Sequence, residues 1–153
     1  MHIVLVEPQI PPNTGNVARL CAATGSALHL VEPLGFRIGD RELKRAGLDY
    51  WNLLAVIVHP SFDAFIESTK SLRRWFLSTR AGQPYTRADF QAGDMLVFGK
   101  ETAGLPQEVL REHRQFALRI PMREDSVRSL NLSTSVGIVA YAALARMGFP
   151  NLV

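Results

Sequence analysis

Short apolar runs alternate with helix-period segments from one end of this chain to the other, and that alternation constrains the fold more than any other feature. HIVLV (2–6), ALHLV (27–31), AVIVH (55–59), RWFLS (74–78), MLVFG (95–99) and FALRI (116–120) have strand length and are rich in β-branched and aromatic residues. Between them lie segments of period 3.6. GNVARLCAATG places Val17, Leu20, Cys21 and Thr24 on one face, with Gly25 positioned to end the helix. DRELKRAG (40–47) reads as a short charged helix closed by Gly47, and Ser61 caps another that runs to Thr69. PQEVLREH (106–113) starts with proline at its first position, and a final helix runs from about Asn131 to Met147. Six strands interleaved with helices imply an α/β fold: a mostly parallel six-stranded sheet with helices on both faces. No repeat, low-complexity tract or linker divides the 153 residues, so one domain, 1–153, is expected.

Several classes are excluded at this stage. One cysteine, Cys21, rules out an internal disulfide and fits a reducing cytoplasm. The N-terminus has no basic region before its short apolar run and reads as a first strand, not a signal peptide. No apolar run is long enough for a membrane span. His2, His29, His59 and His113 are scattered without metal-ligand spacing, so no metal is expected. The net charge is only +3, but fourteen of the seventeen cations are Arg, whose forked guanidinium matches phosphate and stacks on bases. An anionic partner, nucleic acid first, is the reading this favours.

Parallel α/β sheets present ligands at the carboxyl ends of their strands. Three loops there carry chemistry. In Asn13–Arg19 (NTGNVAR), Asn13 or Thr14 can cap the helix, and Arg19 lies off its apolar face. An ordinary cap and a solvated arginine account for that pattern; the functional alternative is helix amides and Arg19 converging on a phosphate. In Phe98–Pro106 (FGKETAGLP), Gly99 and Gly104 bracket a loop that matches neither nucleotide-binding glycine fingerprint. The glycines suggest close approach of backbone to a ligand, against a plain turn, and Glu101 suits bonding to backbone amides better than catalysis. In IPMREDSVRSLNLSTSV, Ser129, Asn131, Ser133 and Ser135 alternate through a helix start, where one cap would suffice. The surplus argues for a ligand. The helix that follows is apolar on two faces, one with Leu132, Val136, Val139, Ala140, Ala143 and Met147, the other with Ile138, Tyr141, Ala142 and Ala145. The second face suggests a homodimer, and Gly137 would allow close helix approach. Arg41, Lys44 and Arg45 share one face with Tyr50 and Trp51 just beyond, either a phosphate-tracking patch or a solvated helix face.

Together, NTGNVAR, FGKETAGL and IPM…SLNLSTSV resemble the three motifs of the SPOUT methyltransferases, and the likeness covers Ile3 to about Pro150. EPQIPPNTGN and RAGLDY resemble the small subgroup that methylates the ribose 2′-oxygen of the tRNA wobble nucleotide, cytidine or a modified uridine, with leucine tRNAs the expected substrates. The resemblance implies a C-terminal deep trefoil knot, an exception to the rule that chains do not thread their own loops. It implies S-adenosylmethionine as cofactor, held by Ser78, Gly99, Glu101, Ile120, Met122, Ser129 and Leu130. It implies a homodimer through the knot and the last helix, with Arg19 reaching the partner's cofactor beside Ser129 and Asn131. Without a separate RNA-binding domain before the first strand, the anticodon loop would be held by the dimer itself, through Asn13, Asn16, Arg41, Lys44, Arg45, Arg80 and Arg123. The chemistry then needs no metal, since the sulfonium is already activated; the protein positions a hydroxyl in line and loses one proton. Arginine titrates too high for a base, so Arg19 is read as a positioner of phosphate and hydroxyl. The alternatives are methylation of another tRNA or ribosomal RNA position, a non-catalytic RNA-binding module of the same fold, and an unrelated nucleotide-binding α/β enzyme.

Overall fold

The computed structural model describes residues 1–38, 54–125 and 127–153. The helix expected at 40–47, with Arg41, Lys44, Arg45, Tyr50 and Trp51, lies outside the described residues. The elements in chain order are β1 (His2–Val6), α1 (Pro11–Thr24), β2 (Ala27–Val31), β3 (Val56–His59), α2 (Phe62–Ser68), β4 (Arg74–Leu77), β5 (Gln83–Pro84), β6 (Met95–Phe98), α3 (Gln107–Glu112), β7 (Ala117–Arg119) and α4 (Leu132–Arg146). The sheet is parallel throughout, in the order β3-β2-β1-β6-β4-β7-β5. All six expected strands are present. The seventh, β5, is two residues long at the sheet edge, too short and too polar to show as a hydrophobic run.

Alternation within β1 shows why both sheet faces are covered. Ile3 and Leu5 point into a core with Val17, Ala18 and Cys21 of α1 and Val136, Val139 and Ala140 of α4. Val4 and Val6 point the other way, towards Phe65 of α2 and Val109 of α3. Strands packed on both faces become continuous apolar runs, which is the pattern seen in the sequence. Cys21 is fully buried and desolvation pushes its thiol up to about 12, so it behaves as a core residue.

Helix α1 starts earlier than its local sequence suggests. Pro11 and Pro12 occupy the first turn, Ile10 is the N-cap, and Ile10 contributes no side-chain bond. Asn13 and Thr14 therefore lie inside the helix rather than capping it. The end is as expected, with Gly25 in the left-handed region (φ 66°) and its amide on the Cys21 carbonyl. At α4 the outcome matches the expectation: Asn131 is the N-cap and Met147 the C-cap. Its second apolar face stays outside, with Tyr141 and Ala145 exposed and Ile138 and Ala142 half-buried. Gly137 is not needed for α1–α4 packing, because a Cβ there would meet Leu20 Cδ1 at an ordinary 3.6 Å.

The amino ends of β4 and β6 are tied by Asp94, which is buried. Its carboxylate accepts from Arg73 Nε and Nη2 (both 2.8 Å), Trp75 Nε1 (2.8 Å) and the Gln91 amide (2.9 Å), so the charge is fully bonded. This knot of bonds lies at the end of the sheet away from the carboxyl-end loops.

Three of the four scattered histidines are brought together by strand register. His2 Nδ1 lies 3.0 Å from His29 Nε2, and His29 Nδ1 lies 2.9 Å from His59 Nε2, with Phe65 edge-on to His59. Each contact needs one proton between two nitrogens, so the row is satisfied when neutral. Burial, then the His2 and His59 charges, lower His29 to about 4 from 6.5. The unfolded chain therefore takes up a proton near pH 6.5 that the folded chain refuses until about pH 4. Stability should fall as pH drops through that window and level off below it. Thermal unfolding of the wild type and of His29→Gln between pH 7 and pH 4.5 tests this: the wild type should lose stability faster, and parallel curves would contradict it.

Candidate active site

Four loops at the carboxyl ends of neighbouring strands enclose one cavity of about 690 Å³. It lies where the strand order turns back on itself: β1, β6, β4 and β7 are neighbours in space but not in sequence, and such a switch point is where parallel sheets bind ligands. The loop after β1 contributes Ile10, and the first turn of α1 contributes Asn13. The loop after β4 contributes Ser78 and Arg80. The β6 loop supplies Gly99 to Leu105, and the segment after β7 supplies Ile120, Met122 and Arg128 to Leu132.

A directed row of hydrogen bonds joins three of these loops. The Glu101 carboxylate accepts from the amides of Gln9 (2.9 Å) and Ile10 (3.1 Å) and from Asn13 Nδ2 (3.0 Å). Asn13 Oδ1 accepts from Asn131 Nδ2 (2.9 Å). Asn131 Oδ1 accepts from the Ser133 amide (2.9 Å), the Ser133 hydroxyl (2.7 Å) and the Thr134 amide (3.3 Å). The Glu101 end of the row can only accept and the backbone amides at the α4 end can only donate, so each asparagine must present its oxygen towards α4 and its amide towards Glu101. Only a side chain with a donor and an acceptor on one planar group serves at both positions. Glu101 thus supplies from the β6 loop the cap that α1 lacks locally, and its negative charge sits favourably at a helix N-terminus.

The glycines of the β6 loop have a different cause from the one the sequence suggests. A Cβ on Gly99 would fall on the Gly104 carbonyl carbon and the Leu105 amide nitrogen, so the close approach is by the loop's own return. Gly104 sits at φ 69° and donates its amide to the Lys100 carbonyl at 2.8 Å, which closes the turn.

The surplus of hydroxyls at the start of α4 is mostly spent locally. Ser133 bonds the cap residue and Ser135 Oγ donates to the Asn131 carbonyl at 3.0 Å. Ser129 lines the cavity, and among the described residues its hydroxyl has no partner.

All seven residues expected at a cofactor, Ser78, Gly99, Glu101, Ile120, Met122, Ser129 and Leu130, line this cavity, as do Asn13, Arg80 and Asn131. Arg19 and Asn16 do not: both are exposed, on the outward face of α1. Arg123 is exposed on the segment after β7 and is also outside the lining. Sequence reasoning passed over Arg128 and Lys100. Lys100 pairs with Glu7 at 2.7 Å, a contact between residues 93 apart that no local pattern announces. Among the described residues no group of His, Cys, Asp and Glu is placed to hold a metal ion, and no helix is long and apolar enough to cross a membrane.

A parallel α/β sheet with one cavity at the carboxyl ends of β1, β6, β4 and β7 is the frame on which comparison with known proteins gives the class. The chain belongs to the SpoU rRNA Methylase family, which it matches over residues 1–141, and that fold implies the C-terminal knot. It is 49% identical over 150 residues to the tRNA (cytidine(34)-2′-O)-methyltransferase of Saccharophagus degradans, covering 97% of this chain and 96% of that one. The enzyme of the same description from Escherichia coli K12 is 46% identical over 154 residues, covering 100% and 98%. Among solved structures, a Bacillus anthracis protein described as an RNA methyltransferase superposes with a TM-score of 0.91 at 45% identity, covering 99% and 96%. A structure described as giving insights into methylation of C/U34 on tRNA has the same TM-score at 47% identity, covering 96% and 95%.

Asn131→Asp separates the two duties of that residue. The carboxylate can still cap α4 but can no longer donate to Asn13. Circular dichroism should show the helix content unchanged, with stability lowered by about 0.5–1.5 kcal/mol, the worth of one hydrogen bond. S-adenosylhomocysteine affinity should drop with it. A variant that binds as tightly as the wild type would show that the row does not shape the cavity.

Proposed function

We propose that this protein methylates the ribose 2′-oxygen of the wobble nucleotide of tRNA, with S-adenosylmethionine as methyl donor. The observation that carries the reading is that every residue expected at the cofactor meets Asn13, Asn131 and Arg80 in the same cavity. Its volume, about 690 Å³, is in the usual range for small-molecule sites, roughly 300–1,000 Å³. Its lining suits the cofactor: half-buried Ile120, Met122 and Leu130 for an adenine ring, the Gly99 loop and Ser78 for polar groups. When bound, the cofactor supplies a methyl group on sulfur that needs no further activation. The chain's part is to hold the ribose hydroxyl in line with it and to take one proton away. Ser129, unpartnered at the wall, and Asn131, fixed by its row of bonds, are the groups that orient the hydroxyl.

Arg19 is exposed and does not line its own chain's cavity, and α4 shows an outward apolar face with Tyr141 49% exposed and Phe149 beside it at a ring distance of 6.5 Å. Both features support a homodimer in which Arg19 enters the partner's site, holding the phosphate and the reacting hydroxyl rather than acting as a base. One domain then carries cofactor, RNA and dimer contacts. Asn16, one turn before Arg19 on the same face, and Arg123 belong to the RNA surface in this reading. Arg19→Lys should lose most turnover and keep S-adenosylhomocysteine affinity; unchanged turnover would remove the role.

The reading as a whole is tested by incubating the protein with S-adenosylmethionine and tRNA from a strain lacking its gene, then mapping nucleosides by mass spectrometry. A new 2′-O-methylcytidine, or ribose-methylated uridine, at position 34 is expected, and leucine tRNAs are the substrates this reading names. A product at another tRNA or ribosomal position would keep the reaction and move the substrate. Cofactor binding with no product from any RNA would leave a non-catalytic module.

A further inference from the structure

Four charged side chains line the cavity: Arg80, Lys100, Glu101 and Arg128. Two are already committed. Lys100 is neutralised by Glu7 at 2.7 Å, and the Glu101 carboxylate is taken up by two backbone amides and Asn13. Arg80 and Arg128 are different. Both are exposed, and among the described residues neither has a carboxylate within ion-pair range. They come from two separate loops, after β4 and after β7, which are paired strands. Each stands beside a hydroxyl that lines the cavity: the Arg80 amide donates to Ser78 Oγ at 3.2 Å, and Arg128 directly precedes Ser129. The mouth therefore carries two cations with no counter-charge among the described residues.

We propose that Arg80 and Arg128 form a phosphodiester-binding rim that grips the backbone next to the reacting ribose and so fixes which nucleotide enters the cavity. This rests on the RNA methylation reading above. The sulfonium is itself a cation, so a positive rim does not serve to attract it. The cavity, at about 690 Å³, is of small-molecule size, which leaves most of a polyanion to pass over the exposed rim. Guanidinium forks are suited to phosphate there, and half-buried groups deeper in are left for the cofactor.

The test is tRNA binding and steady-state kinetics of Arg128→Gln, Arg80→Gln and Arg128→Lys, with thermal midpoint and S-adenosylhomocysteine affinity measured on each. Each Gln variant should weaken tRNA about tenfold, the worth of one charge-assisted contact. It should raise KM for tRNA more than it lowers kcat, and leave S-adenosylhomocysteine affinity unchanged. The slope of log affinity against log salt should fall by about 0.7–0.9 for each arginine removed. Arg128→Lys, which keeps the charge and loses the fork, should restore the slope and part of the affinity. Weakened S-adenosylhomocysteine with unchanged tRNA affinity would overturn the proposal and make the arginines ligands of the cofactor carboxylate. Unchanged affinity for both would overturn it as well. If the wild type methylates tRNA while the variants match it, only the rim fails; if the wild type binds no RNA, the rim and the reading beneath it fail together.

Discussion

The Glu101 carboxylate is the contact on which the site depends. It closes the N-terminus of α1, which has no cap of its own, and it does so from a loop 92 residues away in sequence. A carboxylate bonded to three N–H groups at a helix N-terminus is stabilised by the hydrogen bonds and by the helix dipole together. Because Asn13 hangs from the same carboxylate and Asn131 from Asn13, the position of α1 is transmitted to the start of α4. Three of the four segments that wall the cavity are therefore one mechanical unit.

The two ends of the sheet carry different work. At the amino ends, Asp94 collects Arg73, Trp75 and the Gln91 amide into a closed set of bonds that leaves nothing for a ligand. At the carboxyl ends, the bonding is satisfied along one row and, among the described residues, left open beside it at the side chains of Ser129, Arg80 and Arg128. That contrast separates structure from function without reference to any relative: bonded-out polar groups hold the fold, and open ones beside a cavity await something polar.

Much of this was legible in the sequence, for physical reasons. Strands such as MLVFG are buried on both faces and so are uniformly apolar, and α4 was found because its cap and its buried face agree. The three motif segments lie far apart in the chain yet meet at one cavity because the strands before them, β1, β6 and β7, lie close together in the sheet, with only β4 between β6 and β7. The start of α1 was not legible, because its cap is supplied by a distant carboxylate while Asn13 and Thr14 look like local caps. The reason for Gly99 was hidden in the path of its own loop. The row of His2, His29 and His59 needs strand register, which spacing along the chain does not contain. Arg128 escaped notice because an arginine in a polar loop reads as solvated until the cavity beside it is seen.

The most direct test of this account is a double-mutant cycle between Glu101→Gln and Asn131→Ala, read by S-adenosylhomocysteine affinity in calorimetry. Among the described residues, the hydrogen bonds that join the two side chains run through Asn13. If the row transmits position across the site, the variants will be coupled by about 0.5 kcal/mol or more, and removing Asn13 will abolish the coupling. Effects that add to within about 0.3 kcal/mol would show that the walls are set independently, and would contradict the claim that one carboxylate organises the site.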